Sequence, residues 1–223
     1  MTHMKGRIPI LTRKPAIIFD WDGTLADSMD LCIGEVRLAL TRMGLPVPPE
    51  EVIRQCNGPT FEESIPLLGI PRERAEEYLR VRLQAGLELC PTVNRLFPGI
   101  REMLLSLRDR ADLCIASNGT ADYLALCQRV FGLEGVFRAV RSAQHGRTKA
   151  QAVADILAEL RPCGAIMVGD RLGDIAAGKA NGLPTLCAAY GYGDTSEWTA
   201  ADQAAADVAS LQALLERFIA GAE

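Results

Sequence analysis

Histidine is nearly missing from this 223-residue chain: only His3 and His145 occur. Ser-His-Asp chemistry would have to run through His145, and no Gly-x-Ser-x-Gly turn accompanies it. Carboxylates are therefore the expected agents of acid–base chemistry. Long apolar runs are also missing. The apolar runs, such as Ala16–Phe19 and Cys114–Ala116, fall far short of the ~20 residues a spanning helix needs. The N-terminus carries Lys5, Arg7, Arg13 and Lys14 but no apolar stretch of signal-peptide length. A cytoplasmic protein without a membrane partner is expected. No Lys/Arg cluster forms an electrostatic footprint, and the net charge is -4, so no nucleic-acid partner is expected. None of the seven cysteines (32, 56, 90, 114, 127, 163 and 187) forms a CxxC pair. That usage fits a reducing compartment and excludes a disulfide framework or zinc site. The cysteines are expected to be small buried apolar groups.

What is present is an alternation of short apolar runs with helical patterns. Pro15–Phe19, Ala111–Ser117, Gly164–Val168 and Pro184–Ala188 read as buried parallel strands, with Val136–Arg141 as a further candidate. Ile100–Arg108, Ala121–Phe131, Lys149–Leu160 and Asp174–Asn181 read as the helices between them, and Ser210–Ala220 as a closing helix capped by Ser210. The fold class is α/β, a doubly wound, Rossmann-like parallel sheet. One stretch breaks the alternation. Ser28–Met43, Pro49–Cys56, Thr60–Leu68 and Arg72–Leu89 are helical, with breaks at Gly44–Pro49, Asn57–Pro59 and Gly69–Pro71. Ser28 is a candidate cap, and Thr60 with Glu63 forms a capping-box pattern. Residues 27–96 are thus an expected all-helical insert, and residues 1–26 with 97–223 the core domain.

In such sheets ligands bind at the carboxyl ends of the strands. Asp20-Trp21-Asp22-Gly23-Thr24-Leu25 follows the first strand, Ser117-Asn118-Gly119-Thr120 ends the second, and Gly169-Asp170-Arg171-Leu172-Gly173-Asp174 follows the fourth. Asp20 and Asp22, two apart in extended chain, are expected to share a side, with Trp21 turned away to pack. Asp170 and Asp174 sit one helical turn apart. Four carboxylates on one edge repel and need positive charge. Mg²⁺ accepts several carboxylates together with waters and a phosphate, and Lys149 can supply further charge. Ser117 offers a hydroxyl, and Asn118 and Gly119 offer backbone N–H groups at a helix start, where anions bind. Gly23 can make a tight turn that brings backbone donors to a phosphoryl group.

Asp-x-Asp-Gly-Thr-Leu at 20–25, the strand ending in Ser117-Asn118, the isolated Lys149 and Gly-Asp-x-x-x-Asp at 169–174 resemble, in order and spacing, the four motifs of the haloacid dehalogenase superfamily. The resemblance covers nearly the whole chain. The helical insert, Phe97-Pro98-Gly99-Ile100 and Tyr190-Gly191-Tyr192-Gly193 resemble the phosphoglycolate-phosphatase-like branch, whose insert is a cap domain. The resemblance implies a Mg²⁺-dependent phosphatase acting on a small phosphomonoester metabolite. Asp20 would be the nucleophile and form an aspartyl-phosphate, and Asp22 would be the general acid and base. Mg²⁺ would be held by Asp20, the backbone carbonyl of Asp22, Asp170 and Asp174. Ser117 and Asn118 would hold the phosphoryl group, with Lys149 pairing to it and to Asp20. Asn57, Gly58 and Thr60 would lie in a cap loop that closes over the substrate, or form a plain helix–helix turn.

Asp22 argues for phosphoryl transfer, because a dehalogenase needs no acid there. Phosphonate cleavage in this family uses a cap lysine, and no lysine lies between Lys14 and Lys149. Two alternatives stay open. A phosphosugar mutase is disfavoured by Gly169, where mutases carry Glu, and a non-catalytic phosphate-binding regulator is disfavoured by the intact motifs. Arg171 reads as a surface salt bridge or a substrate contact, and His145 as a loop residue. The substrate and the oligomeric state are not legible in the sequence.

Overall fold

Four residues in a row, Ala16–Phe19, have no exposure to solvent, which is possible only for a strand covered on both faces. The computed structural model describes residues 13–144 and 146–222; His3 and His145 lie outside them. The chain runs from β1 (Ala16–Phe19) through a two-residue strand β2 (Ala26–Asp27) into helices α1 (Met29–Arg42), α2 (Glu50–Arg54) and α3 (Phe61–Leu67). A short 3₁₀ turn leads into α4 (Ala75–Val93), and β3 (Arg95–Leu96) then returns to pair antiparallel with β2. The remaining order is α5 (Ile100–Leu107), β4 (Asp112–Ser117), α6 (Ala121–Val130), β5 (Ala139–Ser142), α7 (Lys149–Leu160), β6 (Ala165–Gly169), α8 (Leu172–Ala180), β7 (Thr185–Ala188), α9 (Thr195–Thr199), β8 (Gln203–Ala205) and α10 (Val208–Ala222).

The main sheet has the order β5-β4-β1-β6-β7-β8, and every pairing is parallel. From β1 the chain steps outward through β4 and β5, then crosses to β6 on the other side of β1. The carboxyl ends of β1, β4 and β6 therefore flank a topological switch point, where such folds place their ligands. Ile17, Phe19, Leu113 and Ile115 pack with Met103, Leu104 and Leu215 against one face. Ile18, Cys114 and Met167 pack with Val153 and Ile156 against the other. Trp21 is fully buried, 6.2 Å from the Phe131 ring, as the alternation predicts.

Helices α1–α4 bury an apolar cluster of their own, including Val36, Leu40, Ile53 and Tyr78. The Thr60–Glu63 capping box at α3 forms as expected. Several local expectations need correction. Ser28 precedes α1, but its side chain makes no cap bond. The last helix begins at Val208, with Asp207 and Ser210 exchanging bonds, because Asp207 Oδ1 takes the Ser210 N–H at 2.7 Å. Six cysteines are buried, but Cys163 is exposed. The alanine-rich residues 199–209 hold β8, an edge strand too short for any periodicity to register. Among the described residues no helix is long and apolar enough to cross a membrane.

Candidate active site

Asp20 follows β1, Ser117 ends β4 and Asp170 follows β6, so the three reach the switch point from adjacent strands. Asp174 arrives from the first turn of α8. Asp20, Asp170 and Asp174 each present a carboxylate oxygen, all within 4.8 Å of one another, and all three residues are buried. Lys149, at the start of α7, is the counter-charge: its Nζ lies 3.0 Å from Asp20 Oδ1 and 2.5 Å from Asp174 Oδ1. The Thr148–Gln151 capping box fixes the helix start that presents this lysine.

Asp170 is held on both sides. Thr24 Oγ1 donates to its Oδ1 at 3.1 Å, and the Tyr192 N–H donates to its Oδ2 at 2.8 Å. Glycines make the room. Gly23 has φ +82°, and a Cβ there would overlap the Asp170 carboxylate. A Cβ at Gly191 would overlap both the Gly23 carbonyl and Asp170. Asp174 Oδ2 accepts the Arg171 N–H at 2.9 Å. The Arg171 side chain pairs with Glu197, Nε to Oε1 3.0 Å, and a Cβ at Gly58 would lie 3.5 Å from its Nη1, so it is an ion-pair residue beside the 57–60 segment.

One cation cannot balance three buried carboxylates. Burial, then the neighbouring Asp174, pushes the Asp20 carboxyl well above its ordinary range. The same two causes push Asp170 up to about 7. Burial works against the Lys149 charge, but Asp174 and Asp20 outweigh it and hold the ammonium above its usual value. Asp20 Oδ1 makes no well-directed hydrogen bond despite its ion pair. A buried all-oxygen donor set with unmet negative charge fits a hard divalent cation. Such an ion would reverse the upward shifts, since its own charge dominates local titration.

The Asp22 carboxyl is not in this cluster. Tyr123 donates its phenolic proton to Asp22 Oδ1 at 2.7 Å, and Ser28 also hydrogen-bonds the side chain. Burial raises the Asp22 carboxyl, and these two bonds pull it partly back. So the structure brings three carboxylates together and aims the fourth elsewhere. Asp20 and Asp22 still share one cavity, which runs up between the sheet edge and helices α1 and α4. Ser117, Asn118, Asn57 and Gly58 line the same cavity. Ser117 Oγ accepts the Gly119 N–H at 3.1 Å. Asn118 Nδ2 donates to the Gly58 carbonyl at 2.8 Å, so that side chain ties the 57–60 segment to the sheet edge. Thr60 is not drawn into the cavity and serves as the cap of α3.

Tyr123, Ser28 and Asn94 were not legible as site residues. Asn94 Oδ1 accepts the Arg95 N–H at 3.0 Å, which turns its Nδ2 to the Tyr123 hydroxyl at 3.1 Å. Because that hydroxyl receives the amide proton, its own proton points to Asp22. The contact between positions 22 and 123 has no sequence signal beyond a tyrosine in the first turn after the Ser117-Asn118 motif.

An all-parallel sheet with an acidic cluster at its switch point and an all-helical insert after the first strand is the frame of a known hydrolase class. The family model for haloacid dehalogenase-like hydrolases matches residues 17–188, and the chain belongs to that family. It is 31% identical over 183 residues to "Tyrosine-protein kinase PtkA" of Mycobacterium tuberculosis, covering 79% of this chain. That alignment spans 62% of the relative's own length, less than two thirds of it. It is 30% identical over 194 residues to a phosphoglycolate phosphatase of Synechococcus elongatus, covering 83% of this chain and 89% of the relative. A haloacid dehalogenase-like family hydrolase of Streptococcus pneumoniae superposes with TM-score 0.80 at 22% identity, covering 91% of this chain and 97% of that one. The Asp20, Asp170 and Asp174 cluster is typical of the family's Mg²⁺ sites.

Proposed function

We propose that the chain is a Mg²⁺-dependent phosphatase that cleaves a small phosphomonoester through an aspartyl-phosphate on Asp20. The observation that carries this reading is the division of labour among the acids. Asp20 sits with Asp170, Asp174 and Lys149, while the Asp22 carboxyl, two residues on, faces the cavity on a separate hydrogen-bond network.

In this reading Asp20 attacks phosphorus and Asp22 protonates the leaving oxygen. Asp22, now a carboxylate, then takes a proton from water as that water attacks the phosphoryl-enzyme. Splitting one displacement into two gives each a lower barrier. Ser117 would hold a phosphoryl oxygen with its hydroxyl. Lys149 would shield the phosphoryl charge from Asp20 before attack. Asp20, the backbone carbonyl of Asp22, Asp170 and Asp174 would hold Mg²⁺, which when bound neutralises phosphoryl charge in such sites. Residues 27–96 would act as the cap over the core of residues 1–26 and 97–223. The bond from Asn118 to the Gly58 carbonyl supports closure at the 57–60 segment. Closure excludes water from the first step, and opening releases product.

The mutase alternative is weakened by space. A Cβ at Gly169 would already overlap Asp174, so Glu there would displace a candidate ligand. The name of the mycobacterial relative suggests transfer to a protein hydroxyl as another fate for the phosphoryl group. Phosphate release from 4-nitrophenyl phosphate with Mg²⁺, assayed beside phosphate transfer from ATP to a tyrosine polymer, separates the two. Release of phosphate is expected; transfer without release would overturn the phosphatase reading.

A further inference from the structure

We infer that the leaving group this site accepts is an uncharged alcohol or phenol with an apolar body, and that the buried Arg82–Glu35 pair imposes that choice. The inference rests on the phosphatase reading and adds the substrate class to it.

Beyond Asp20 and Asp22 the cavity is walled by α1 and α4. Arg82 is the one cation among the described residues that line it; Lys149, paired with Asp20 and Asp174, is not among them. A cavity built for a carboxylate-bearing ester would aim that charge at the substrate. Here it is committed elsewhere. Arg82 is 2% exposed, and its Nε and Nη2 both lie 2.8 Å from Glu35 Oε1. Its Nη1 donates to Ser64 Oγ at 2.9 Å, and its Nη2 to Cys32 Sγ at 3.7 Å.

The pairing is built into the helices. Gly86 lies one turn after Arg82 on α4, and a Cβ there would overlap Glu35 Oε2. Any other residue at position 86 would push the Glu35 carboxylate away from α4. The other α1 and α4 side chains that line it, Leu31, Cys32, Leu83 and Leu87, are apolar, with Ser28 and Asn57 as polar neighbours.

A substrate carboxylate entering here would meet the Glu35 carboxylate, and it would have to take Arg82 from Glu35. Like charges juxtaposed in a binding interface cost several-fold to many-fold in affinity. An uncharged leaving group meets none of these costs, and its apolar body gains by burial against the leucines.

The test compares kcat/KM for matched esters with the full chain and Mg²⁺. The neutral esters are 2-hydroxyethyl phosphate and phenyl phosphate. Their carboxylate counterparts are 2-phosphoglycolate and 4-carboxyphenyl phosphate, and 4-nitrophenyl phosphate reports turnover as such. The neutral member of each pair should be favoured by about tenfold or more. In Glu35→Gln, which releases the Arg82 charge, the ratio should move toward the carboxylate ester by about tenfold, and Glu35→Gln with Arg82→Gln should restore the neutral preference. A wild-type preference for the carboxylate esters, or an unchanged ratio in a folded Glu35→Gln, overturns the inference while leaving the phosphatase reading intact. No phosphate from any ester, 4-nitrophenyl phosphate included, overturns both. The wild-type comparison decides the matter even if Glu35→Gln does not fold.

Discussion

The Tyr123 hydroxyl donates to Asp22 at 2.7 Å while accepting from Asn94 at 3.1 Å. Asn94 lies where α4 leaves the helical insert, and Tyr123 and Asp22 belong to the sheet side. The carboxyl proposed as the acid is thus oriented from both parts of the molecule. Tyr123→Phe removes the bond and leaves the ring. With an alkyl phosphate, whose leaving oxygen needs a proton, kcat should fall by about tenfold, since a positioned acid contributes on the order of 10²–10⁴. With 4-nitrophenyl phosphate the loss should be much smaller. Steady-state kinetics on the two esters checks this, and an equal loss on both would mark Tyr123 as merely structural.

Metal dependence should be visible without turnover. Three buried carboxylates with one lysine leave unmet charge. Mg²⁺ should therefore raise the unfolding temperature of the wild-type protein. At about a hundred times its Kd the gain is about 2.7 kcal/mol. Asp170→Asn should abolish most of that rise. Thermal unfolding with and without Mg²⁺ reads both, and an equal rise in the variant would remove Asp170 from the site.

Gly191 carries a steric prediction. A methyl group there would press on the Gly23 carbonyl and on Asp170. Gly191→Ala should cost about 1–3 kcal/mol in urea unfolding, as overpacking does. It should also weaken the Mg²⁺-induced stabilisation, because the displaced atoms belong to the cluster. Gly221→Ala in α10 serves as the control, since its φ is not positive and nothing crowds a Cβ there.

Asp202, on the far side of the sheet, accepts from the Thr185 hydroxyl at 2.7 Å and from its N–H at 2.8 Å. The hydroxyl bond first, then the backbone bond, holds its carboxyl below the usual range. A carboxyl depressed by folding stabilises above its unfolded pKa of about 3.9, and the contribution is lost as pH falls through the folded value. Asp202→Asn should therefore be less stable than wild type at about pH 6, and the gap should close in acid. Urea unfolding across that range checks it.

The core motifs were legible because they sit where strands end, and the strands announce themselves as short apolar runs. Asp20, Ser117, Lys149 and Asp170 come together through chain order alone once the sheet is parallel. The pairing of Asp22 with Tyr123, and of Arg82 with Glu35, was not legible. Each joins residues far apart in sequence, and each depends on how α1, α4 and α6 pack, which no local period encodes. Asp20 and Asp22 were expected on one side of an extended segment. In the structure the tight turn at Gly23 follows at once, and the two carboxyls find different partners. Thr60 carries two expectations for a related reason: a cap residue and a loop residue poised over a substrate look alike in sequence, and in the structure the oxygen accepts the Glu63 N–H of α3.

The central claim is that Asp20 carries the phosphoryl group. Acid-quenched protein, mixed with 4-nitrophenyl phosphate and Mg²⁺, can be digested and its peptides weighed for a phosphoryl adduct. The account predicts an adduct on the peptide containing Asp20, enriched in Asp22→Asn, and neither adduct nor turnover in a folded Asp20→Asn. Normal turnover in Asp20→Asn, or an adduct on another residue, would contradict it.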